Sequence, residues 1–454
     1  VRRLMEGTPK IELTAAFPCE GPFEVQLPIW RPGRYEVGNF ARYVYDMMGQ
    51  QSDGSWIELQ KTSLHAWHVP EEIGRVRWTF FADLFNAGST GVAEDILYIN
   101  PVNCFLYLPD HQDWGYAIEL TDVPAGWPVA TGLPQSNGRW QARDVQHVMD
   151  SPILAADALT HLQYESNGIP FHIWIYGQDQ PNPDSFLADH VAFTDSQIAH
   201  FGSFPAEHYH FMYVLPEREV RHGVEHEDST VIALGPSAKI QTQHGYNELV
   251  GIASHELYHA WNVKRIRPSE WTPYNFEDAC PSRLGYIAEG VTTYMGDLFL
   301  FESGCIDLKG WSTLMETLLY RHINNPGRHN LSVAESSYDT WLDGYAAGAP
   351  GRKLSIYVEG CLLAFVTDYL LRKHTKNKYG IEEVMRRLYF DTKISTHGFV
   401  EQDYQRMLEN ITGTSFQDFF DRYLNGNHSL TQLETSYFGG LTSAIENLPT
   451  CRKQ

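Results

Sequence analysis
The sequence predicts a multi-domain α+β protein: an N-terminal all-β domain, a mixed α/β domain, and a C-terminal helical region. Three observations predict it. Patterning changes along the 454 residues, from strand-like runs before about residue 170 to helical spacing after about 240. Hydrophobic residues make up 43% and aromatics 13%, enough to bury the cores of more than one domain. Within the first long helical stretch of that later part stands His255-Glu256-Leu257-Tyr258-His259.

The elements follow in order. Runs at 10–17, 75–81, 96–99, 104–108 and 171–176 read as strands separated by Pro, Gly and Asn turns. Trp30-Arg31-Pro32-Gly33 is a turn between such runs. From about 180 the pattern is mixed, with a helix at 184–201 after Pro183 and strands at 208–215 and 229–234. Helices are expected at 245–264, 284–303, 309–323, 354–375, 381–390, 400–411 and 415–424, with Gly304 and Gly413 where C-caps fall. There is no internal repeat or low-complexity tract. The domain limits expected from this pattern are 1–165, 166–325 and 326–454.

The chemistry concentrates in the middle one of these, 166–325. Residues four apart share a helix face, so His255 and His259 offer two imidazoles to one metal ion. Glu256 then reaches a metal-bound water as general base, the zinc-peptidase arrangement. Leu249, Val250, Ile252, Ala253 and Leu257 supply the apolar positions of the helix. Lys264, Arg265 and Arg267 gather where it is expected to end, which suits the helix dipole, and Pro268 stops it. Catalytic zinc takes three protein ligands and keeps one position for water. Glu289, in Ala288-Glu289-Gly290, is the candidate for the third. A carboxylate early in a helix also suits the dipole, and its place downstream of the histidine pair favours the ligand. Asn262 is either support for the ligands or a polar residue at the helix end.

Composition excludes other classes. A formal charge of −22 argues against nucleic acid and anionic membrane as partners. An acidic cleft would favour ligands with a positive end. No apolar run approaches the 18 residues of a membrane span. Cysteines 19, 104, 280, 305, 361 and 451 are scattered without a CxxC pair, so reduced thiols and a cytoplasmic location are expected. The first residues lack a signal-peptide core; a removed signal and a periplasmic location stay open. The sequence leaves the oligomeric state unknown.

The segment His255-Glu256-Leu257-Tyr258-His259-Ala260-Trp261-Asn262-Val263-Lys264-Arg265-Ile266-Arg267-Pro268 resembles the zinc motif of the glycyl aminopeptidase family, gluzincins related to the alanyl aminopeptidases. Three more segments match in order. Trp30-Arg31-Pro32-Gly33-Arg34-Tyr35 with Phe40-Ala41-Arg42 is similar to the family's N-terminal β-domain signature. Gly223-Val224-Glu225-His226-Glu227-Asp228-Ser229-Thr230 resembles its substrate-binding strand, and Ala288-Glu289-Gly290 its third-ligand helix.

The resemblance implies a thermolysin-like catalytic domain, one zinc ion and peptide substrates with a free N-terminus. It places Glu225, with Gly223 on the same strand, where the family holds the substrate's α-ammonium. It also places Tyr357, in Tyr357-Val358-Glu359-Gly360, where relatives use a Tyr that opens a helix to meet the oxyanion. Glu359 stands where relatives carry Lys, which puts a charge role for that neighbour in doubt. The family often carries a PDZ domain after the helical region; 441–454 is too short to be one, and whether the protein lacks it or carries it beyond this sequence stays open. The expected function is zinc-dependent removal of N-terminal residues, small ones such as Gly or Ala. Competing readings are a zinc endopeptidase or non-peptide hydrolase, and an inactive peptide-binding protein of the same fold.

Overall fold
The computed structural model describes residues 1–427 apart from Glu20 and Ala347. Cys451 and the end of the expected helical region, 428–454, lie outside the described residues. The chain forms two compact units. The first holds Val1–Arg265, Glu270–Cys280 and Gly296–Asp307; the second holds Ile266–Ser269, Pro281–Met295 and the chain from Leu308.

The first unit begins with β-structure. Strands β1 (Lys10–Ala16), β2 (Val44–Gln50) and β3 (Arg75–Phe81) are the centre of a five-stranded antiparallel sheet, with Arg2–Leu4 and Trp56–Glu58 at its edges. Ile11 and Leu13 of β1 pair with Phe80 and Trp78 of β3, and all four are buried. Their neighbours on each strand face outward, so a one-residue slip would turn this apolar set into water. The expected strand at 104–108 is absent. Its start belongs to a helical turn, Pro101–Cys104, and Tyr107 makes only an isolated bridge to Gln26. The Pro101 ring has φ preset for a helix start, which decides the first of these residues against β.

A second sheet carries the chemistry. Its strands are β4 (Thr160–Ser166), β5 (Ile169–Gly177), β6 (Tyr209–Leu215), β7 (Val220–Glu225) and β8 (Ser229–Gly235), in the spatial order β4-β5-β6-β8-β7. β5, β6 and β8 run parallel, while β4 and the edge strand β7 are antiparallel to their neighbours. The sequences of β6 and β8, Tyr-His-Phe-Met-Tyr-Val-Leu and Ser-Thr-Val-Ile-Ala-Leu-Gly, are buried throughout, as central parallel strands must be. Helix α1 (Pro183–Phe201) connects β5 to β6, and α2 (Gln243–Tyr258) follows β8. Asn182 caps α1 and Thr242 caps α2.

This core buries two neutral histidines. His190 is enclosed between α1 and β6, bonded to the Phe186 carbonyl (2.7 Å) and Tyr213 hydroxyl (2.6 Å), and burial pushes its imidazole down to about 3 despite the Phe186 carbonyl. His210 on β6 is held well below its ordinary value, first by burial and then by His172, His208 and His161. Unfolding lets both take up protons below their ordinary value of 6.5. The unfolded chain therefore binds more protons, and stability present at neutral pH falls as pH drops below about 6.5. Urea midpoints measured from pH 7 to 4 should decline, and His190→Phe should flatten part of that decline; an unchanged slope would contradict it.

The second unit is helical. After α3 (Thr292–Glu302) come α4 (Leu308–Ile323), α5 (Val333–Asp343), α6 (Ile356–His374), α7 (Ile381–Phe390) and α8 (Glu401–Thr412). Helix α5 was not expected, although Ser332 and Glu335 form a full capping box at its start. The expected helix at 415–424 is reduced to Gln417–Phe419 followed by a π-helical turn at Phe420–Leu424. Gly413 closes α8 at φ +67°, and Gly304 lies just past α3 at φ +81°. Among the described residues no helix is long and apolar enough to cross a membrane.

Candidate active site
Helix α2 positions the histidine pair. Leu249, Val250, Ala253 and Leu257 bury one side of it, and Ser254 anchors it: its hydroxyl donates to the Gly296 carbonyl (2.8 Å), and Gln197 of α1 donates to the Ser254 carbonyl and hydroxyl. His255 and His259 point Nε2 atoms at each other, 3.1 Å apart. His259 Nδ1 lies 2.6 Å from the Asn262 carbonyl oxygen and donates to it, which leaves the Nε2 lone pair for a ligand. Two nitrogens on one tetrahedral zinc stand about 3.4 Å apart at Zn–N bonds of about 2.1 Å. The pair thus fits that ion. Support comes from the Asn262 backbone, a contact that the Asn side chain could not announce in the sequence.

The regular helix ends at Tyr258, six residues before the expected 264. His259 is the C-cap, and residues 260–265 continue in mixed turns: Ala260 N–H donates to Leu257, Asn262 N–H to Tyr258, and Lys264 N–H to His259. The cause is visible in the side chains. Lys264 turns inward and pairs with Asp150 Oδ1 at 2.9 Å, its side chain fully buried, while Arg265 pairs with Glu227 at 3.0 Å and donates to the Pro205 carbonyl. The expected helix-end capping by Lys264 and Arg265 is replaced by these ion pairs.

Two carboxylates of the first unit converge on the same place. Donor atoms of Glu225, Glu256 and His259 all lie within 4.8 Å of one another, and the three residues are buried. Glu225 ends the edge strand β7, with Gly223 on the same strand face. Both glycines of the surrounding motifs are there for space. A Cβ on Gly223 would meet Glu256 Oε1 at 2.1 Å, and one on Gly33, in the turn after Trp30, would meet Glu225 Oε2 at 2.5 Å. Gly33 also sits at φ +75°, so a side chain there would be strained as well as crowded. Glu225 is 3% exposed, and its Oε1 has no hydrogen-bond partner among the described residues.

In the second unit, Glu289 is buried on a π-helical turn, Tyr286–Val291, that precedes α3. Such turns are rare and frequent at functional sites. The sequence shows only helical spacing there. The turn packs on α6 through two glycines: a Cβ on Gly290 would lie 2.2 Å from Gly360 Cα. The Ala288-Glu289-Gly290 and Tyr357-Val358-Glu359-Gly360 segments are therefore neighbours. Tyr357 is half-buried in the first turn of α6, which Ser355 caps. Glu359, standing in the place of the usual Lys, is paired with buried His322, whose Nδ1 lies 2.7 and 2.9 Å from its two oxygens. This partner lies 37 positions away in sequence.

Within the first unit, Glu225, Glu256 and His259 form a group of three side chains suited to hold a cation. The histidine pair of the same unit offers two neutral nitrogens, and one further carboxylate completes the donor set of catalytic zinc sites. With the Nε2 of His259 given to such an ion, the carboxylates of Glu225 and Glu256 remain for other cations.

The comparisons with known proteins agree with this chemistry. The sequence profile of the M61 glycyl aminopeptidase family matches residues 248–363, and that of the peptidase M61 N-terminal domain matches residues 8–157; together they span more than half of the chain. An aminopeptidase N family protein from Idiomarina loihiensis shares the fold at TM-score 0.86 and 24% identity, over 94% of this chain and 76% of that one. An M1 zinc metallopeptidase from Deinococcus radiodurans aligns at TM-score 0.51 and 16% identity, over 92% and 90%. A mutant of an M1 zinc metallopeptidase from the same organism, bound to a Tyr-Ser-Ala substrate, aligns at 0.51 and 14%, over 92% and 90%. No curated protein matches in sequence. The β-rich N-terminal part, the helical C-terminal part and the histidine pair together define a zinc metallopeptidase of the aminopeptidase class. The chain belongs to the M61 glycyl aminopeptidase family.

Proposed function
We propose that the protein removes N-terminal residues, small ones such as Gly or Ala, from peptides with a free N-terminus. One zinc ion is held by His255, His259 and Glu289. The observation that carries the aminopeptidase reading is the buried Glu225 carboxylate, one oxygen of which has no partner among the described residues, set within 4.8 Å of Glu256 and His259 donor atoms. Two buried acids this close repel each other and call for cations. A metal answers one need, and the α-ammonium of a peptide answers the other.

The roles follow. Bound zinc supplies a Lewis acid that polarises the scissile carbonyl and acidifies water. Glu256 takes the proton of the attacking water and passes it to the leaving amine. Glu225 holds the ammonium, beside backbone that Gly223 and Gly33 leave open. Tyr357, in the first turn of its helix, donates to the oxyanion. The division at 165 and 325 belongs to the same reading, supported by the N-terminal match at 8–157. A cytoplasmic site of action belongs to the same reading and rests on six scattered cysteines without a CxxC pair.

The test is hydrolysis of Gly and Ala arylamides and short peptides, with N-acetylated controls, before chelation, after chelation and after zinc is restored. Zinc-dependent cleavage confined to free amines is expected. Equal cleavage of acetylated peptides would replace the reading with an endopeptidase. Binding of peptides without turnover by zinc-loaded protein would replace it with a peptide-binding protein.

A further inference from the structure
Asp150 is a buried acid that none of the roles above uses. It follows a short helix, Val145–Met149, whose first turn is capped by Asp144. Its Oδ1 accepts from His226 Nδ1 (3.0 Å) and from Lys264 Nζ (2.9 Å), and its Oδ2 accepts from the Glu227 backbone N–H (2.9 Å). All three side chains of this hub are buried. Burial alone would raise the carboxyl, but Lys264 and His226 outweigh it and hold the group well below its usual range.

The two bonds to Oδ1 come from two different parts of the site. His226 directly follows Glu225, at the end of β7, and its backbone N–H closes the turn onto Ser229 (2.8 Å). Lys264 lies one irregular turn beyond His259, and its N–H donates to the His259 carbonyl (3.0 Å). Beside this link the Glu227–Arg265 pair (3.0 Å) makes a second tie between the same two segments, and Arg143 holds Glu227 from the other side (2.5 Å). Buried ion pairs add little net stability compared with apolar side chains of the same size, and their best-attested use is to fix one geometry. Here the geometry fixed is the separation between the carboxylate of Glu225 and the histidine helix.

Resting on the reading of Glu225 as the amine anchor, we propose that Asp150 is a positioning residue. Through His226 and Lys264 it sets the gap between that anchor and the metal helix, and so confines cleavage to the first peptide bond. The anchoring carboxylate touches the substrate; Asp150 acts only through its two partners.

The experiment uses the zinc-loaded full chain and four variants: His226→Ala, His226→Asn, Asp150→Asn and Glu225→Ala. KM and kcat are measured for an alanine arylamide, and the affinity for alaninamide and N-acetylalaninamide is measured by calorimetry. His226→Ala should raise KM and weaken alaninamide binding by about tenfold or more, with a smaller change in kcat, because a displaced anchor loses the substrate before it loses the chemistry. His226→Asn, whose amide N–H can replace the Nδ1–H, should restore most of the loss. Asp150→Asn should follow His226→Ala. A uniform fall in kcat, or a lower Tm with unchanged KM and alaninamide binding, would overturn the proposal. Should Asp150→Asn fail to fold, the two His226 variants decide. Glu225→Ala separates the two levels. If it loses alaninamide binding while His226→Ala does not, the role of Asp150 falls alone; if it keeps that binding, the anchor falls and the proposal with it.

Discussion
Glu256→Gln should lower kcat on an alanine arylamide by about 10³-fold, within the range that general-base catalysis supplies, while one zinc ion per chain is retained. Three features support this expectation. Glu256 is not among the proposed zinc ligands His255, His259 and Glu289, so its loss should leave the metal in place. Gln matches its volume, and the pocket is made for that shape: Gly223 leaves so little room that even a methyl group would strike Oε1. The exchange therefore removes a proton acceptor and little else. Metal content by atomic absorption, beside kcat and KM, checks it. Retention of more than about a tenth of wild-type kcat would mean that another group takes the proton, since that loss falls below the usual general-base contribution.

Much of this site was legible in the sequence, for a physical reason. A helix repeats every 3.6 residues, so His255 and His259 had to share a face, and the apolar residues around them had to form the opposite one. The same periodicity concealed what mattered next. Glu289 lies on a π-helical turn whose six residues, Tyr286–Val291, are all buried, so no polar face marks the change of pitch and only an α-helix was expected there. The end of the metal helix was misplaced because Lys264 and Arg265 fit two descriptions equally well. As charges at a helix end they suit the dipole, but Asp150 and Glu227, distant in sequence, draw them into ion pairs. Local patterns carry no record of such partners. The N-terminal strands were found where alternation is strict, as in β1 and β3, and lost at 104–108, where Pro101 starts a helical turn and the remaining residues are buried without regular pairing. Helix α5 was legible in its capping box, Ser332 with Glu335, and was missed because its apolar stripe is short.

Glu225→Ala should lower kcat/KM on free-amine substrates by about 10²-fold, the equivalent of about 3 kcal/mol for a desolvated charge-assisted contact. Acetylated peptides should be unaffected, so the two substrate classes become alike. The pH profile supplies a second sign. A substrate α-amine loses its proton near pH 8, so wild-type kcat/KM should fall above that pH as the cation that Glu225 holds disappears. Without the carboxylate there is no such preference, and the alkaline fall should flatten. Stability should move the opposite way. Glu225 is 3% exposed with an oxygen that no described group satisfies, and an unpaired buried acid costs the folded protein free energy. Glu225→Gln or Glu225→Ala should therefore leave Tm unchanged or raise it while activity falls. A residue kept for packing would lose both together. A drop of several degrees in Tm, with free-amine and acetylated substrates still distinguished as in the wild type, would show that Glu225 supports the strand rather than the substrate. The opposite pattern marks a charge whose cation arrives only with the peptide.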